Sequence, residues 1–189
     1  AVLLHAGGAE VAHAGDSRAY RVRADQIERL TRDHSMVQQL VDSGMLSPEQ
    51  AASHPEANKI TRALGIAPEV SVEVRPEPLP LAAGDALLLA SDGLTDLVTD
   101  PEIKEVVRRR IGSGTAMVCR ELVALANSRG GHDNITVLVL SVVEMPARVV
   151  PPSGTVVQDQ GARMPGAMPI TVGGGGPAPT LFDDRPGRT

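Results

Sequence analysis

The sequence predicts an α+β domain in which helices pack on the faces of antiparallel sheets. Three observations favour this class. Residues 1–30 contain short apolar runs separated by tight turns, paired segments of helical periodicity follow in two places, and residues 135–143 form a β-branched run. Since 42% of the 189 residues are hydrophobic, the chain can bury a core, and a wholly disordered chain is excluded.

Four short strands are predicted at the start of the chain. They cover residues 2–5, 10–14, 19–23 and 26–30, and turn signals such as Gly7-Gly8, Gly15-Asp16 and Ala24-Asp25 separate them. Strands this short with tight connections are typical of an antiparallel sheet.

A first pair of helices follows these strands. Apolar residues recur at helical spacing from residue 36, and Gly44 suits the end of that helix. Ser47 is a predicted N-cap, with Pro48 in the first turn and Gln50 closing a capping box. His54-Pro55 should end this second, short helix.

The middle of the chain returns to extended structure. Valines alternate with polar residues over 70–74, which predicts a strand with one solvated face. The prolines at 76, 78 and 80 predict an extended edge, and the continuous apolar run at 86–90 predicts a strand that is buried on both faces.

A second pair of helices and a last strand complete the predicted elements. The first helix should start at Asp100 as the cap and run to Gly112, and the next should span 115–128. Residues 135–143 predict a long strand.

Composition excludes several classes of protein. A net charge of −5 and only two aromatic residues, Tyr20 and Phe182, argue against a nucleic-acid partner. No apolar run is long enough for a membrane span, and the single cysteine, Cys119, fits a reducing compartment and a place in the core. A cytoplasmic location is therefore expected.

The composition changes at the end of the chain. Residues 145–189 hold eight of the 15 prolines and eight of the 19 glycines, which predicts a flexible or disordered tail after a domain at 1–144. Because the chain starts with Ala1 inside an apolar run, we expect the native sequence to begin upstream.

Three acidic turns are the candidate functional features. Asp16, Asp92 and Asp133 each lie at the end of an apolar strand beside glycine or another small residue. Carboxylates that converge from separate strands suit Mg²⁺ or Mn²⁺. The alternative is that each aspartate only caps its own turn.

Five motifs, in order along the chain, carry a resemblance. They read HAGDSRAY at 13–20, LTRDHS at 30–35, HP at 54–55 with ITRALG at 60–65, LLASDGL at 88–94, and GGHDNIT at 130–136. The set resembles the metal-dependent protein phosphatase family of the PP2C type, in particular its bacterial serine/threonine phosphatases.

This resemblance implies a β-sandwich of two antiparallel sheets flanked by helix pairs. It also implies hydrolysis of phosphoserine and phosphothreonine on proteins by a water that two Mn²⁺ or Mg²⁺ ions activate. By motif, Asp92 and Asp133 would bind that pair of ions, and Asp16 with Asp92 would help to bind a third, weaker ion.

Several other residues receive an implied role. Asn58 aligns roughly with another third-ion position, and Gly93 and Asn134 would support the metal loops. Arg18 and Arg62 could contact phosphate, although a salt bridge to a nearby carboxylate is the favoured interpretation for both.

Two further groups are interpreted from the residues themselves. Asp33 and His34 are interpreted as structural residues of their loop. No two histidines have a metal-type spacing, so zinc is not expected.

The resemblance has one gap. The family's N-terminal metal-binding motifs, including the carboxylate that bridges both ions, do not occur in these residues. We therefore expect the C-terminal part of a catalytic domain, inactive by itself, and keep a non-catalytic pseudophosphatase or interaction module as the alternative. The expected partners are phosphorylated proteins and the serine/threonine kinases that act on them, and a monomer is expected.

Overall fold

The structure is a computed structural model that describes residues 1–52 and 54–145. The predicted tail lies, except for Met145, outside the described residues. The strands are β1 Val2–His5, β2 Gly8–His13, β3 Arg18–Arg23, β4 Gln26–Arg29, β5 Glu73–Val74, β6 Ala86–Ala90 and β7 Val137–Ser141. The helices are α1 Met36–Asp42, α2 Pro48–Ala52, α3 Asp92–Thr95, α4 Asp100–Arg110 and α5 Thr115–Ser128, with a 3-10 turn at Ile111–Ser113.

All strand pairs are antiparallel, and they form two sheets. One sheet has the order β1-β2-β5 and the other the order β4-β3-β6-β7. The predicted layered class of antiparallel sheets and helices is confirmed.

Strand β6 separates the two parts of the core, as its apolar run predicted. Ala86, Leu88 and Ala90 are buried with apolar residues of α4 and α5. Leu87 points the other way and packs with Ala9 and Leu79 on the side of the three-stranded sheet. The α4–α5 pair therefore covers one face of the four-stranded sheet, while the other face meets the second sheet.

Local signals predicted several elements well. The Ser47–Gln50 capping box forms, because Gln50 N donates to Ser47 Oγ at 3.2 Å and Ser47 N donates to Gln50 Oε1 at 2.8 Å. Gly44 follows α1 with a φ of +73°, as a helix stop requires. Helix α5 has the predicted bounds.

The two valine-rich strands are shorter than predicted. The strand predicted at 70–74 is only Glu73–Val74, because β2 offers it just Ala12 and His13 as partners. The strand predicted at 135–143 is shortened to Val137–Ser141. The β6–β7 pairing begins only at Val137. Before it, Thr136 N donates to Ser91 Oγ at 2.9 Å.

The start of α4 also differs from the prediction. Thr99, not Asp100, is the N-cap, and Glu102 accepts hydrogen bonds from Thr99 N at 3.0 Å and Oγ1 at 2.8 Å. Asp100 instead accepts a hydrogen bond from the hydroxyl of the buried Tyr20 at 2.9 Å. Short helix α3 was not predicted. Among the described residues, no helix is both long and apolar enough to cross a membrane.

The ion pair between Glu102 and Arg129 joins the start of α4 to the end of α5. Arg129 donates to Glu102 at 2.9 and 2.6 Å and to the carbonyl of Leu97 at 2.6 Å. The hydrogen bonds from Arg129, followed by those from Thr99, lower the pKa of Glu102 from 4.5 to about 2. The folded state therefore favours the ionised carboxylate.

This pair predicts a pH dependence of stability. Because the folded-state pKa of Glu102 is lowered, its stabilisation should be complete above pH 4.5 and should be lost as the pH falls towards about 2. Glu102→Gln should therefore be less stable at neutral pH and should lose less stability in this acid range. Urea unfolding of the full-length protein across the range measures both effects, with Glu69→Gln, an exposed carboxylate, as the control. If the free energy of unfolding had the same pH dependence in wild type and Glu102→Gln, the stabilising role of ionised Glu102 would be contradicted.

Candidate metal centre

The register of two central strands brings two acidic turns together. Strand β3 starts just after Asp16, and β6 ends just before Asp92. Since Arg18 pairs with Ala90 in the antiparallel β3–β6 ladder, the two turns lie at the same edge of the sheet. Both aspartates line a cleft of about 440 Å³.

The cleft concentrates negative charge. Besides Asp16 and Asp92, its lining includes Asp33 and Asp96. Burial, followed by the charge of Asp92, raises the pKa of Asp16. The same two causes, in the same order, raise the pKa of Asp96, while Arg18 and His132 oppose the rise. A group of oxygen ligands that repel one another in this way fits a hard divalent cation.

Helix α3 places Asp92 and Asp96 one turn apart. Ser91 is its N-cap, and Asp96 N donates to the carbonyl of Asp92 at 2.9 Å. Asp96 is not among the site residues predicted from the sequence. The i, i+4 spacing within DGLTD was the available signal, but it has meaning only once residues 92–95 are known to be helical.

The loop that carries Asp133 packs tightly against the backbone at Gly93. A Cβ added to Gly93 would lie 2.6 Å from the carbonyl oxygen of Asn134, so only glycine permits this approach. Ser91 Oγ donates to the carbonyl of Asn134 at 2.9 Å and clamps the same loop. Asp133 itself is exposed and is not among the side chains that line the cleft.

Both loop aspartates also stabilise their own turns. Asp92 Oδ1 accepts from Gly93 N at 2.8 Å, and Asp133 Oδ1 accepts from Asn134 N at 2.6 Å. The turn-capping interpretation therefore describes part of their role. A carboxylate has two oxygens, so this role is compatible with binding a cation through the second.

The arginines of the motifs face carboxylates and histidine. Arg18 donates to Asp33 from Nη2 at 2.8 Å and from Nε at 3.2 Å, and Arg29 also pairs with Asp33. Arg62 Nη1 lies 3.2 Å from His34 Nε2, and Arg62 is not among the residues that line the cleft. Asn58, in contrast, does line the cleft.

The structure groups two histidines that the sequence spacing kept apart. The rings of His13 and His34 stack with their centroids 4.5 Å apart, and Glu73 Oε2 lies 3.2 Å from His34 Nε2. One ligand-type atom from each of the three residues falls within 4.8 Å of the others. Spacing alone could not detect this group, because its members come from β2, the β4–α1 connection and β5.

The comparisons with known proteins agree with the motifs. The family model for stage II sporulation protein E (SpoIIE) matches residues 40–143, more than half of the chain. The serine/threonine phosphatase stp of Listeria innocua is 44% identical over 131 residues, which cover 69% of this chain and 50% of that protein. Protein phosphatase PhpP of Streptococcus pneumoniae is 41% identical over 133 residues, or 70% of this chain and 52% of that protein.

Solved structures give the same result. The Mycobacterium tuberculosis serine/threonine phosphatase PstP/Ppp superposes with a TM-score of 0.66 at 38% identity, over 76% of this chain and 58% of that one. A catalytic domain of PstP in complex with two manganese ions superposes with a TM-score of 0.63 at 37% identity, over 76% and 57%.

This chain belongs to the PP2C-type protein phosphatase family. The two antiparallel sheets with their helices are the fold that the resemblance implied, which is confirmed. This chain spans about half the length of the curated relatives that it matches.

The packing at Gly93 predicts the effect of one methyl group. Gly93→Ala should push the Asp133–Asn134 loop away from Asp92, because the new Cβ would meet the Asn134 carbonyl at 2.6 Å. Loss of such supporting packing should weaken Mn²⁺ binding by about 10- to 100-fold. Isothermal titration of the full-length protein with Mn²⁺ measures this change.

Gly112→Ala is the matched control, because a Cβ at Gly112 would meet no atom within 4 Å. It should leave Mn²⁺ binding unchanged. Equal affinities for Gly93→Ala and Gly112→Ala would show that the Asp133 loop does not depend on this contact.

Proposed function

We propose that the full-length protein that carries this chain is a metal-dependent phosphatase of phosphoserine and phosphothreonine on other proteins. One observation carries the proposal: the β3–β6 register and helix α3 bring Asp16, Asp92 and Asp96 into one cleft, where they repel one another. The names of the relatives, which are serine/threonine phosphatases, support the substrate class.

The described donors fit Mn²⁺ or Mg²⁺. Aspartate oxygens are the ligands that these ions prefer, and the repulsion within the cleft is what a cation would relieve. In the proposal, Asp92 and Asp133 bind the pair of catalytic ions, and Asp16 with Asp92 binds a third, weaker ion. Asp96 and Asn58 line the same cleft and would complete the surroundings of that third ion.

Such ions, when bound, activate water and neutralise phosphate charge. The residues of this chain hold the ligands in place. Gly93 and the Ser91 hydroxyl keep the Asn134 loop against the Asp92 turn, and Asn134 N binds Asp133 Oδ1. Asp33 binds Arg18 and Arg29, so these cations shape the wall of the cleft while paired with a carboxylate.

The proposal extends to the organisation of the protein. Residues 1–144 are assigned to the phosphatase domain and 145–189 to a segment outside it. The proposed partners are phosphorylated proteins and the serine/threonine kinases of the same cell, with a monomer acting in the cytoplasm.

Replacing either loop carboxylate tests the ligand assignment. Asp92→Asn and Asp133→Asn keep the size of the side chain but remove its charge, so each should abolish Mn²⁺-dependent hydrolysis of a phosphothreonine peptide. The assay uses the full open reading frame, and released phosphate is measured. Asp25→Asn is the matched control, because Asp25 lies on the exposed turn between β3 and β4.

Wild-type rates in either variant would contradict the ligand assignment. Absence of Mn²⁺-dependent turnover in a folded wild-type protein would instead support the non-catalytic alternative.

A further inference from the structure

We propose that His34 is a positioning residue for the metal cleft: its imidazole binds the Gly15 amide and so fixes the turn that presents Asp16. The inference rests on the proposed function, because it assigns Asp16 to a cation site. His34 does not line the cleft itself, so it would act through the backbone of this turn.

Two hydrogen bonds join His34 to the turn. Gly15 N donates to His34 Nδ1 at 3.1 Å, and His34 N donates to the Gly15 carbonyl at 3.0 Å. Gly15 has a φ of +113°, a conformation that residues with a side chain rarely adopt. Both polar backbone groups of Gly15 are therefore held by one residue, immediately before Asp16.

The same bonds decide the tautomer of His34. Because Nδ1 accepts a hydrogen bond from the Gly15 N–H, the neutral ring must carry its own proton on Nε2. Nε2 faces Glu73 Oε2 at 3.2 Å, and its N–H donates a hydrogen bond to this carboxylate. Arg62 Nη1 lies at the same distance from Nε2, but a guanidinium only donates hydrogen bonds and so cannot be the partner of the Nε2–H. Glu73 on β5 thus keeps the ring in the form that can accept from Gly15.

Stacking and burial restrict the ring further. His34 is only 6% exposed, and the His13 ring stacks on it at an interplanar angle of 16°. His13 Nε2 donates to the carbonyl of Arg32 at 2.7 Å, which fixes His13 in turn. The imidazole of His34 has little freedom to leave the Gly15 amide.

A cation between His13, His34 and Glu73 is the competing explanation of this group. Metal binding at His34 Nε2 would need that nitrogen to lose its proton while Nδ1 still accepts from Gly15, which requires an imidazolate. The guanidinium of Arg62, with Nη1 3.2 Å from Nε2, would also repel a cation there. The geometry therefore favours a hydrogen-bonded support over a second metal site.

His34 also connects the Asp16 turn to the segment after α2. Thr61 N donates to the His34 carbonyl at 2.7 Å, and Gly15 lies close to the Arg62 carbonyl. His34 therefore lies between the Asp16 turn and residues 61–62.

Two substitutions of similar size separate the proposed role from simple packing. His34→Asn keeps an acceptor near the Nδ1 position, whereas His34→Gln carries its amide out to the Nε2 position and lacks that acceptor. In the full-length protein, His34→Asn should bind Mn²⁺ with nearly wild-type affinity. His34→Gln should weaken the lowest-affinity Mn²⁺ site by about 10- to 100-fold, and Asp16→Asn should weaken the same site.

Electron paramagnetic resonance of free Mn²⁺ during titration measures the sites without any activity assay, and thermal melting confirms that each variant is folded. Equal Mn²⁺ affinities for folded His34→Asn and His34→Gln would overturn the proposal. A wild-type protein that binds no Mn²⁺ would instead overturn the proposed function.

If His34→Gln does not fold, ¹⁵N NMR of the His34 ring in the wild-type protein tests the proposal instead. A proton on Nε2 and an unprotonated Nδ1 that couples to the Gly15 amide are expected. The opposite tautomer, or loss of the Nε2 proton when Zn²⁺ is added, would overturn the proposal.

Discussion

The antiparallel pairing of β3 with β6 is the constraint on which the rest of the site depends. Its register places the turn before Arg18 beside the turn after Ala90, and each turn carries one aspartate. A shift of one residue in this ladder would turn Leu87 and Leu88 to the wrong faces of the sheet. The burial of β6 on both faces therefore fixes the β3–β6 register, and this register keeps the two acidic turns side by side at the cleft.

This arrangement has an electrostatic cost. Asp16 and Asp96 are both pushed towards their neutral forms by burial and by Asp92, as the raised pKa of each shows. Asp33 differs from these two carboxylates because Arg18 and Arg29 both pair with it. The fold thus neutralises one carboxylate of the cleft with its own cations and leaves others poorly compensated, a pattern that is common where a ligand supplies the missing charge.

Close backbone contacts hold the loops that such a ligand would need. Gly93 lets the Asn134 carbonyl approach the start of α3, and the Ser91 hydroxyl bonds to both sides of the same loop. At the turn before β3, His34 binds the Gly15 peptide. In the proposed metal centre, residues that are not cation ligands therefore fix the position of the proposed ligands, as supporting residues do in metal centres generally.

The sequence by itself determined the elements that depend on short-range patterns. The first four strands, the Ser47 capping box, α5 and the buried strand at 86–90 were predicted because periodicity, caps and glycine stops act within a few residues. The five motifs likewise identified the family. Only the tertiary structure decided which strands had partners, so β5 and β7 are shorter than their valine-rich sequences predicted. It also brought Asp96 into the cleft and joined His13, His34 and Glu73, because such contacts depend on strand register and on residues distant in the chain.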